Sequence, residues 1–302
     1  MFNQALSSCT IPKVKGIVLA GGTGSRLWPI TRGASKQLLP IYDKPLIHYP
    51  IGTLMLAGIR DIFIITTPED ALAFKRLLGD GSEIGLNFSY GVQTSPNGIG
   101  EAFVIAEQFV GSDEVALILG DNIFHGHGLG SQLSNIRNVS GAQIFAYSVS
   151  DPERYGVVEF DSKGLALAIQ EKPIEPKSNY AVPGLYFYEN GVIEIARSCK
   201  PSHRDEIEIT SINQHYLESG KLNVRILPRG TMWLDTGTIE SLNSASNYVR
   251  IIEERQGHKI SCIEEIAWHN NWITDEQIQL IAKSFKGNEY GKYLNNLIQI
   301  KS

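Results

Sequence analysis

The 302-residue chain predicts an α/β fold: a sheet covered on both faces by helices, with a helical C-terminal appendage. Three observations carry that expectation. Short runs at 14–20, 62–65, 115–119 and 144–149 are apolar without alternation, as strands buried on both faces require. Helical patterns fall between them at 46–57, 69–78, 99–109 and, more weakly, 129–137, giving the strand–helix rhythm of a largely parallel sheet. Past Gly237 the pattern is helical to the end.

Taken in order, residues 1–13 read as an unstructured lead-in. The first strand then ends abruptly in Gly21-Gly22. Ligands of such sheets bind outside the C-terminal ends of the strands, so this strand end is the first place to look. Between 155 and 234 the stretches 155–160, 165–170, 185–188 and 222–227 are strand-like. They predict a mixed second layer that extends the sheet and supplies the other wall of a cleft. A helix is expected over 239–255, followed by three short helical stretches to about 300. Their apolar faces (Trp268, Ile273, Ile278, Ile281, Leu294, Ile298) predict a packed tail. No linker rich in Pro, Gly or Ser splits the chain. The expected organisation is a lead-in at 1–13, one main domain over 14–256 and the packed helical appendage at 257–302.

Composition removes most other classes. Asp and Glu number 32 against 27 Lys and Arg, a net charge of −5, which argues against a nucleic-acid partner and its need for a basic stripe. A small anionic substrate needs only a few local cations and stays open. Cys9, Cys199 and Cys262 show neither C-x-x-C spacing nor a matching histidine cluster, which reads as a reducing compartment and no zinc site. No apolar run reaches the ~18–20 residues of a membrane helix. Residues 1–12 lack a basic start leading into an apolar core, so a cytoplasmic, non-membrane protein is expected.

The strongest local signal is the string from Leu19 to Leu27, which holds Gly21, Gly22, Thr23, Gly24, Ser25 and Arg26. Three glycines in four positions let backbone N–H groups approach an anion, two hydroxyls add donors, and Arg26 offers a bidentate fork. The spacing excludes two familiar alternatives. A dinucleotide fingerprint needs glycine where Leu27 stands, and a Walker A loop needs a Gly-Lys pair that is absent. Ten positions on, Lys36 opens Lys36-Gln37-Leu38-Leu39-Pro40. Pro29 blocks a simple helix between the two cations, so Lys36 returns on an ordered loop towards the same anion.

These two strings together resemble the sugar-phosphate nucleotidyltransferases. The strings at 91–100, 119–122, 151–156, 171–173, 180–188 and 233–238 narrow the resemblance to the short-chain glucose-1-phosphate thymidylyltransferases, over nearly all of 15–297. The resemblance implies a Rossmann-like three-layer mixed sheet, the nucleotide-diphospho-sugar transferase fold. It also implies Mg²⁺-dependent transfer of thymidylyl from dTTP to α-D-glucose 1-phosphate, as the first step towards dTDP-deoxysugars such as dTDP-L-rhamnose, in a homotetramer. Carried over residue by residue, it assigns Arg26, Lys36, Lys172 and Asp121 to catalysis. The nucleotide falls to residues 21–26 with Lys36, Gln37, Gln93, Gly98 and Asp121. The sugar phosphate falls to Asn122, Tyr155, Gly156, Glu171, Lys172, Val182 and Gly184, and Mg²⁺ to Asp121 and Asp235. Asp235 has a rival reading as a helix cap, though Thr236 or Thr238 could serve there.

The chain departs from that pattern at Pro183, where threonine is usual, and at Asn97, where aspartate is. Gly100-Glu101 replaces Ala-Gln, Ile239 replaces a frequent histidine, and His125 a frequent tyrosine. None removes a charge the chemistry needs. His125-Gly126-His127 lacks a third ligand and reads as a loop. Tyr42, His48 and Tyr49 read as packing residues, and Trp268 and Trp272 as core or interface. Two other readings remain: a non-catalytic nucleotide-sugar-binding subunit, which would be expected to have lost a charged group, and the same chemistry with UTP or another hexose 1-phosphate.

Overall fold

A computed structural model describes residues 13–22 and 24–301. Cys9 and most of the expected lead-in, like Thr23, therefore lie outside the described residues. Strand β1 (Val14–Ala20) is followed by a small ribbon, β2 (Pro40–Ile41) with β3 (Lys44–Pro45). Helix α1 (His48–Leu56), β4 (Asp61–Thr66), α2 (Ala71–Leu78) and β5 (Asn87–Val92) continue the alternation. Strand β4 lies parallel to β1, Val18 opposite Ile64, and β5 lies parallel to β4. The expected helix over 99–109 is two short ones, α3 (Glu101–Ile105) and α4 (Glu107–Val110), broken at Ala106. Strand β6 (Glu114–Leu119) returns along the other edge of β1, with Ile17 opposite Leu117.

Side chains alternate across these strands, which explains the unbroken apolar runs. Val14, Val18 and Ala20 of β1 face one buried cluster with Ala116 and Ile118, while Ile17 faces another with Val115 and Leu117. Helices cover each cluster, so three layers form. Phe103 of α3 closes the second face. Ile51 and Leu54 of α1 close the first.

Beyond β6 the chain makes a ribbon strand, β7 (Asn122–His125), then α5 (Leu129–Ser134) and β8 (Ala142–Ser148). The strand-like stretch that follows contains β9 (Gly156–Phe160), β10 (Ala166–Glu171), β11 (Tyr180–Ala181) and β12 (Leu185–Tyr188). It also holds two helices that the strand-like reading passed over, α6 (Val192–Ser198) and α7 (Ile209–Glu218). The β-branched run at the start of α6 imitates a strand. In α7 the buried Ile209, Ile212 and Tyr216 repeat at helical spacing. Strands β13 (Leu222–Ile226) and β14 (Met232–Asp235) complete the set.

The ten-stranded sheet runs β10-β9-β11-β8-β12-β6-β1-β4-β5, with β13 on β8. From β6 to β5 it is parallel; β12 enters antiparallel between β6 and β8 and starts the mixed half. The second layer expected from sequence is thus a continuation of the same sheet. The ribbon of β7 and β14 sets Asp235 opposite Asn122.

Helix α8 (Ile239–Gln256) starts at a capping box, in which Thr238 Oγ1 accepts from Ser241 N–H at 3.1 Å and Ser241 Oγ from Thr238 N–H at 2.9 Å. Three helices follow: α9 (Ile263–His269), α10 (Asp275–Ser284) and α11 (Glu289–Lys301). Their Ile263, Trp268, Ile278, Ala282 and Leu294 join the cluster that α1 covers, so the tail shares the core of the main sheet. Among the described residues no helix is long and apolar enough to cross a membrane.

Candidate active site

Two cavities open side by side at the C-terminal ends of β1 and β6. One, of about 380 Å³, is walled by Gly21, Gly22, Gly24, Ser25, Arg26, Lys36, Gln93, Pro96, Gly98, Arg204 and Glu206 among others. The other, of about 360 Å³, is walled by Asn122, Arg154, Tyr155, Gly156, Glu171, Val182, Gly184, Thr210, Asn213, Trp233 and Asp235 among others. Ile99, Arg26, Asp121 and Lys172 belong to both walls. Of the residues expected to hold nucleotide, the first wall contains all the described ones but Gln37; the second contains those expected to hold sugar phosphate. Among the described residues, the shared ones are Ile99 and three of the four to which catalysis was assigned; the fourth, Lys36, lines the first cavity alone.

The glycine loop owes its shape to its sequence. Gly22 and Gly24 sit at φ +100° and +58°, and Gly24 starts a 3₁₀ turn over Ser25–Leu27 that brings Arg26 to both cavities. Thr31 braces the loop, its hydroxyl donating to Gly24 O at 2.7 Å. A later 3₁₀ turn, Lys36–Leu38, points successive side chains about 120° apart. Lys36 thereby faces the cavity and ion-pairs with Asp121. Gln37 is not among the residues lining either cavity. Its side chain is 3% exposed, with Oε1 accepting from Ser35 Oγ at 2.7 Å.

The two carboxylates arrive on adjacent strands. Asp121 follows β6 and precedes β7, and Asp235 ends β14 one register step away. Thr236 binds the Asp121 carbonyl through N–H (3.2 Å) and Oγ1 (2.9 Å), locking the two segments together. Burial works against charge on Asp121, but the Lys36 ammonium and a 2.9 Å bond from Asn122 Nδ2 override it and hold its carboxyl below the usual range. Asp235 goes the other way. Burial and then the neighbouring Asp121 charge raise its carboxyl, with Lys36, Arg26 and Arg154 offsetting only part. Among the described residues the Asp235 carboxylate has no hydrogen bond or ion pair. The cap of α8 is Thr238, so the rival reading of Asp235 as a helix cap fails on geometry.

Asn122 is 1% exposed and both ends of its amide hold protein. Oδ1 accepts from Trp233 Nε1 at 2.6 Å and from Gly184 N–H at 3.1 Å, while Nδ2 serves Asp121. Glu171 Oε2 accepts from Thr210 Oγ1 at 2.5 Å; its Oε1 lies 3.6 Å from Lys172 and 3.7 Å from Arg204. Lys172 has φ +42°, held by its N–H on Tyr155 O at 3.0 Å, and half its side chain is exposed towards the cavities. Such a backbone strain in a lysine is uncommon and clusters at working sites. Tyr155 packs edge-on to Trp233 with centroids 5.0 Å apart, and Arg154 lies over its ring. His125 ends β7 rather than starting a loop, with Nδ1 2.7 Å from the Tyr248 hydroxyl.

Sequence reading missed Arg204, Glu206, Thr210 and Asn213, and left Arg154 unassigned. Arg204 and Glu206 lie on a loop that carries no motif; only its pairing with the turn at 97–100, through Ile207, brings it to the cavity. Thr210 and Asn213 arrive on α7, whose helical period was the available signal.

Residues 15–250 match the Nucleotidyl transferase family. A glucose-1-phosphate thymidylyltransferase of Mycobacterium tuberculosis H37Rv is 58% identical over 286 residues, 95% of this chain and 99% of the relative. One of Neisseria meningitidis is 54% identical, covering 95% and 100%. A Bacillus anthracis crystal structure holding sucrose superposes with TM-score 0.72 at 42% identity, covering 78% of this chain and 95% of that one. With its double cavity at the strand ends and those relatives along almost its whole length, the chain belongs to the nucleotidyl transferase family, alongside the glucose-1-phosphate thymidylyltransferases.

Proposed function

We infer that this chain is a glucose-1-phosphate thymidylyltransferase, converting dTTP and α-D-glucose 1-phosphate into dTDP-glucose and pyrophosphate. The observation that carries the assignment of roles is the shared wall: Arg26, Asp121 and Lys172 stand where the contents of the two cavities meet. An oxygen of the sugar phosphate attacks the α-phosphorus, a new P–O bond forms, and the bond to the β-phosphate breaks as pyrophosphate leaves in line. The nucleophile is already an anion, so no strong base is needed. The protein's work is to hold two anions together and to stabilise the charge that moves between them. Positioning of this kind can be worth ~7–11 kcal/mol.

The glycine-loop amides and Arg26 are assigned to the triphosphate, and Lys36 to the same charge and the leaving group. Lys172, reaching both cavities, is assigned to the sugar phosphate, and Glu171 to sugar hydroxyls. Gln93 and Gly98 are assigned to the base. The donor set around Asp121 and Asp235 suits a hard divalent cation: two carboxylates, one of them without a protein partner among the described residues. Mg²⁺ bound there would supply charge for the reacting phosphates and leave its other positions to their oxygens. Asn122 holds Asp121 and Gly184 in place. Homotetrameric assembly and a cytoplasmic location complete the reading. The exposed Leu165, Leu167 and Ile174 on and beside the β9–β10 edge support contacts between copies.

The test is pyrophosphate release with glucose 1-phosphate and dTTP, UTP, ATP or GTP. Turnover should be strongest with dTTP and vanish on exhaustive chelation. Asp121→Asn and Asp235→Asn should each lower it by at least about 10²–10³-fold. Full activity without divalent metal, or in either variant, would remove the metal assignment.

A further inference from the structure

Gln93 differs from the other polar groups of the larger cavity in having both amide hydrogens committed. Its Nε2 donates to Glu101 Oε2 at 2.8 Å and to Gly98 O at 3.0 Å. Glu101 is held in turn, its Oε1 accepting from Asn97 Nδ2 at 2.8 Å. Gln93 is only 8% exposed, which leaves little room for water to replace these bonds. Its Oε1 therefore faces the other way, towards the glycine loop, 3.0 Å from where a Cβ on Gly21 would stand. Glu101, the first residue of α3, lines neither cavity.

A glutamine amide has two ends of nearly equal shape and opposite hydrogen-bonding sense, and a free one can present either. A carboxylate presents only lone pairs. With Glu101 and the Gly98 carbonyl side by side, turning the amide over would set Oε1 against two acceptors and leave both unsatisfied. The base in the cavity thus meets an acceptor. An acceptor set against N3 pairs with thymine or uracil, which carry a hydrogen there, and meets a lone pair on cytosine.

We propose that Glu101 is the positioning residue that makes this site select 4-oxo over 4-amino pyrimidine nucleotides, by locking the Gln93 amide with its oxygen towards the base. The proposal rests on the reading of this cavity as a pyrimidine nucleotide site. Gln93 touches the base; Glu101 acts through it.

The experiment compares the wild type, Glu101→Leu and Glu101→Gln with dTTP and dCTP, by calorimetric binding and by pyrophosphate release with glucose 1-phosphate. Glu101→Leu should cut the dTTP:dCTP ratio of kcat/KM by at least about tenfold, since a site that pairs with one group rejects its opposite strongly. The loss should fall in KM and binding, with kcat for dTTP within about threefold. Glu101→Gln, which keeps an oxygen for Gln93 Nε2, should restore the ratio to within about threefold. Should Glu101→Leu not fold, Glu101→Ala makes the same comparison. An unchanged ratio in the truncated variants, beside a wild type active with dTTP, overturns the role of Glu101 alone. A wild type that neither binds nor turns over dTTP overturns the reading of the cavity and this proposal with it.

Discussion

At the scale of single residues, the site depends on close approach as much as on charge. Gly184 lies where a Cβ would sit 2.6 Å from the Leu119 side chain and 2.9 Å from Asn122 Oδ1. The same oxygen accepts the Gly184 N–H and the Trp233 indole, and the other end of that amide steadies Asp121. Gly184→Ala should therefore cost about 1–3 kcal/mol in chemical denaturation and lower turnover through a displaced Asp121. Denaturation within ~0.5 kcal/mol of wild type would show that the wall can yield. Residues of this kind mark the limit of what the string of letters conveys. Arg26, Lys36 and the glycines are legible because an anion site is written locally, in small residues and cations a few positions apart. Gln37 beside Lys36 looks equally available, and only the pitch of a 3₁₀ turn separates the two. Asn97 and Glu101 read as two unrelated departures from a family pattern, yet in space they are hydrogen-bonded to each other.

Elements place those residues, and here Asp235 and Thr238 divide the labour. Three positions apart at the start of α8, both have oxygens that could cap a helix. The capping box assigns that duty to Thr238 and Ser241, which leaves Asp235 unpartnered at the cavity. Thr238→Ala should accordingly cost about 1 kcal/mol of stability in urea unfolding while turnover stays within about threefold. An equal loss of stability from Asp235→Ala would return the capping role to Asp235. The elements themselves were legible where burial on both faces leaves an uninterrupted apolar run, as in β1 and β6. Helices α6 and α7 were not. The apolar, β-branched start of α6 satisfies a strand template as well as a helix, and α7 lies inside a stretch read for its strands. The ribbon of β7 and β14, four residues each, is too short to show any period, although it brings the two carboxylates together.

For the whole molecule, the notable feature is how the tail is fastened. Lys44, 3% exposed, pairs with Glu253 at 3.0 Å and Asp43 at 2.6 Å; Lys259 joins both acids from the far side, and Ile260 N–H donates to Glu253 at 2.9 Å. Next to this network Glu264 is buried, its Oε2 accepting from the Tyr290 hydroxyl at 2.7 Å. Burial raises its carboxyl above the ordinary range, although Tyr290, Cys262 and Lys44 pull the other way. A carboxyl whose native pKa is raised binds its proton more tightly folded than unfolded. The stability it contributes is complete below the unfolded pKa and drains away as pH rises through the native one. The melting temperature of Glu264→Gln, whose side chain never ionises, should thus gain on the wild type as pH climbs from about 4 to about 9. A difference that stays constant over that range would mean that Glu264 titrates normally in the fold.

The seam where β12 enters antiparallel beside β6 also divides the cavities. The glycine loop and Gln93 come from the parallel side, while Tyr155, Glu171 and Val182 come from the antiparallel side. A pocket assembled from two half-sheets can be remodelled one half at a time. On the proposed assignment, substitutions that refit the β9–β10 wall to a different sugar leave the loop after β1 untouched, and the reverse holds for the base. Among the described residues, Ile99, Arg26, Asp121 and Lys172 line both cavities, so drift in either preference is free to proceed while those four stay fixed.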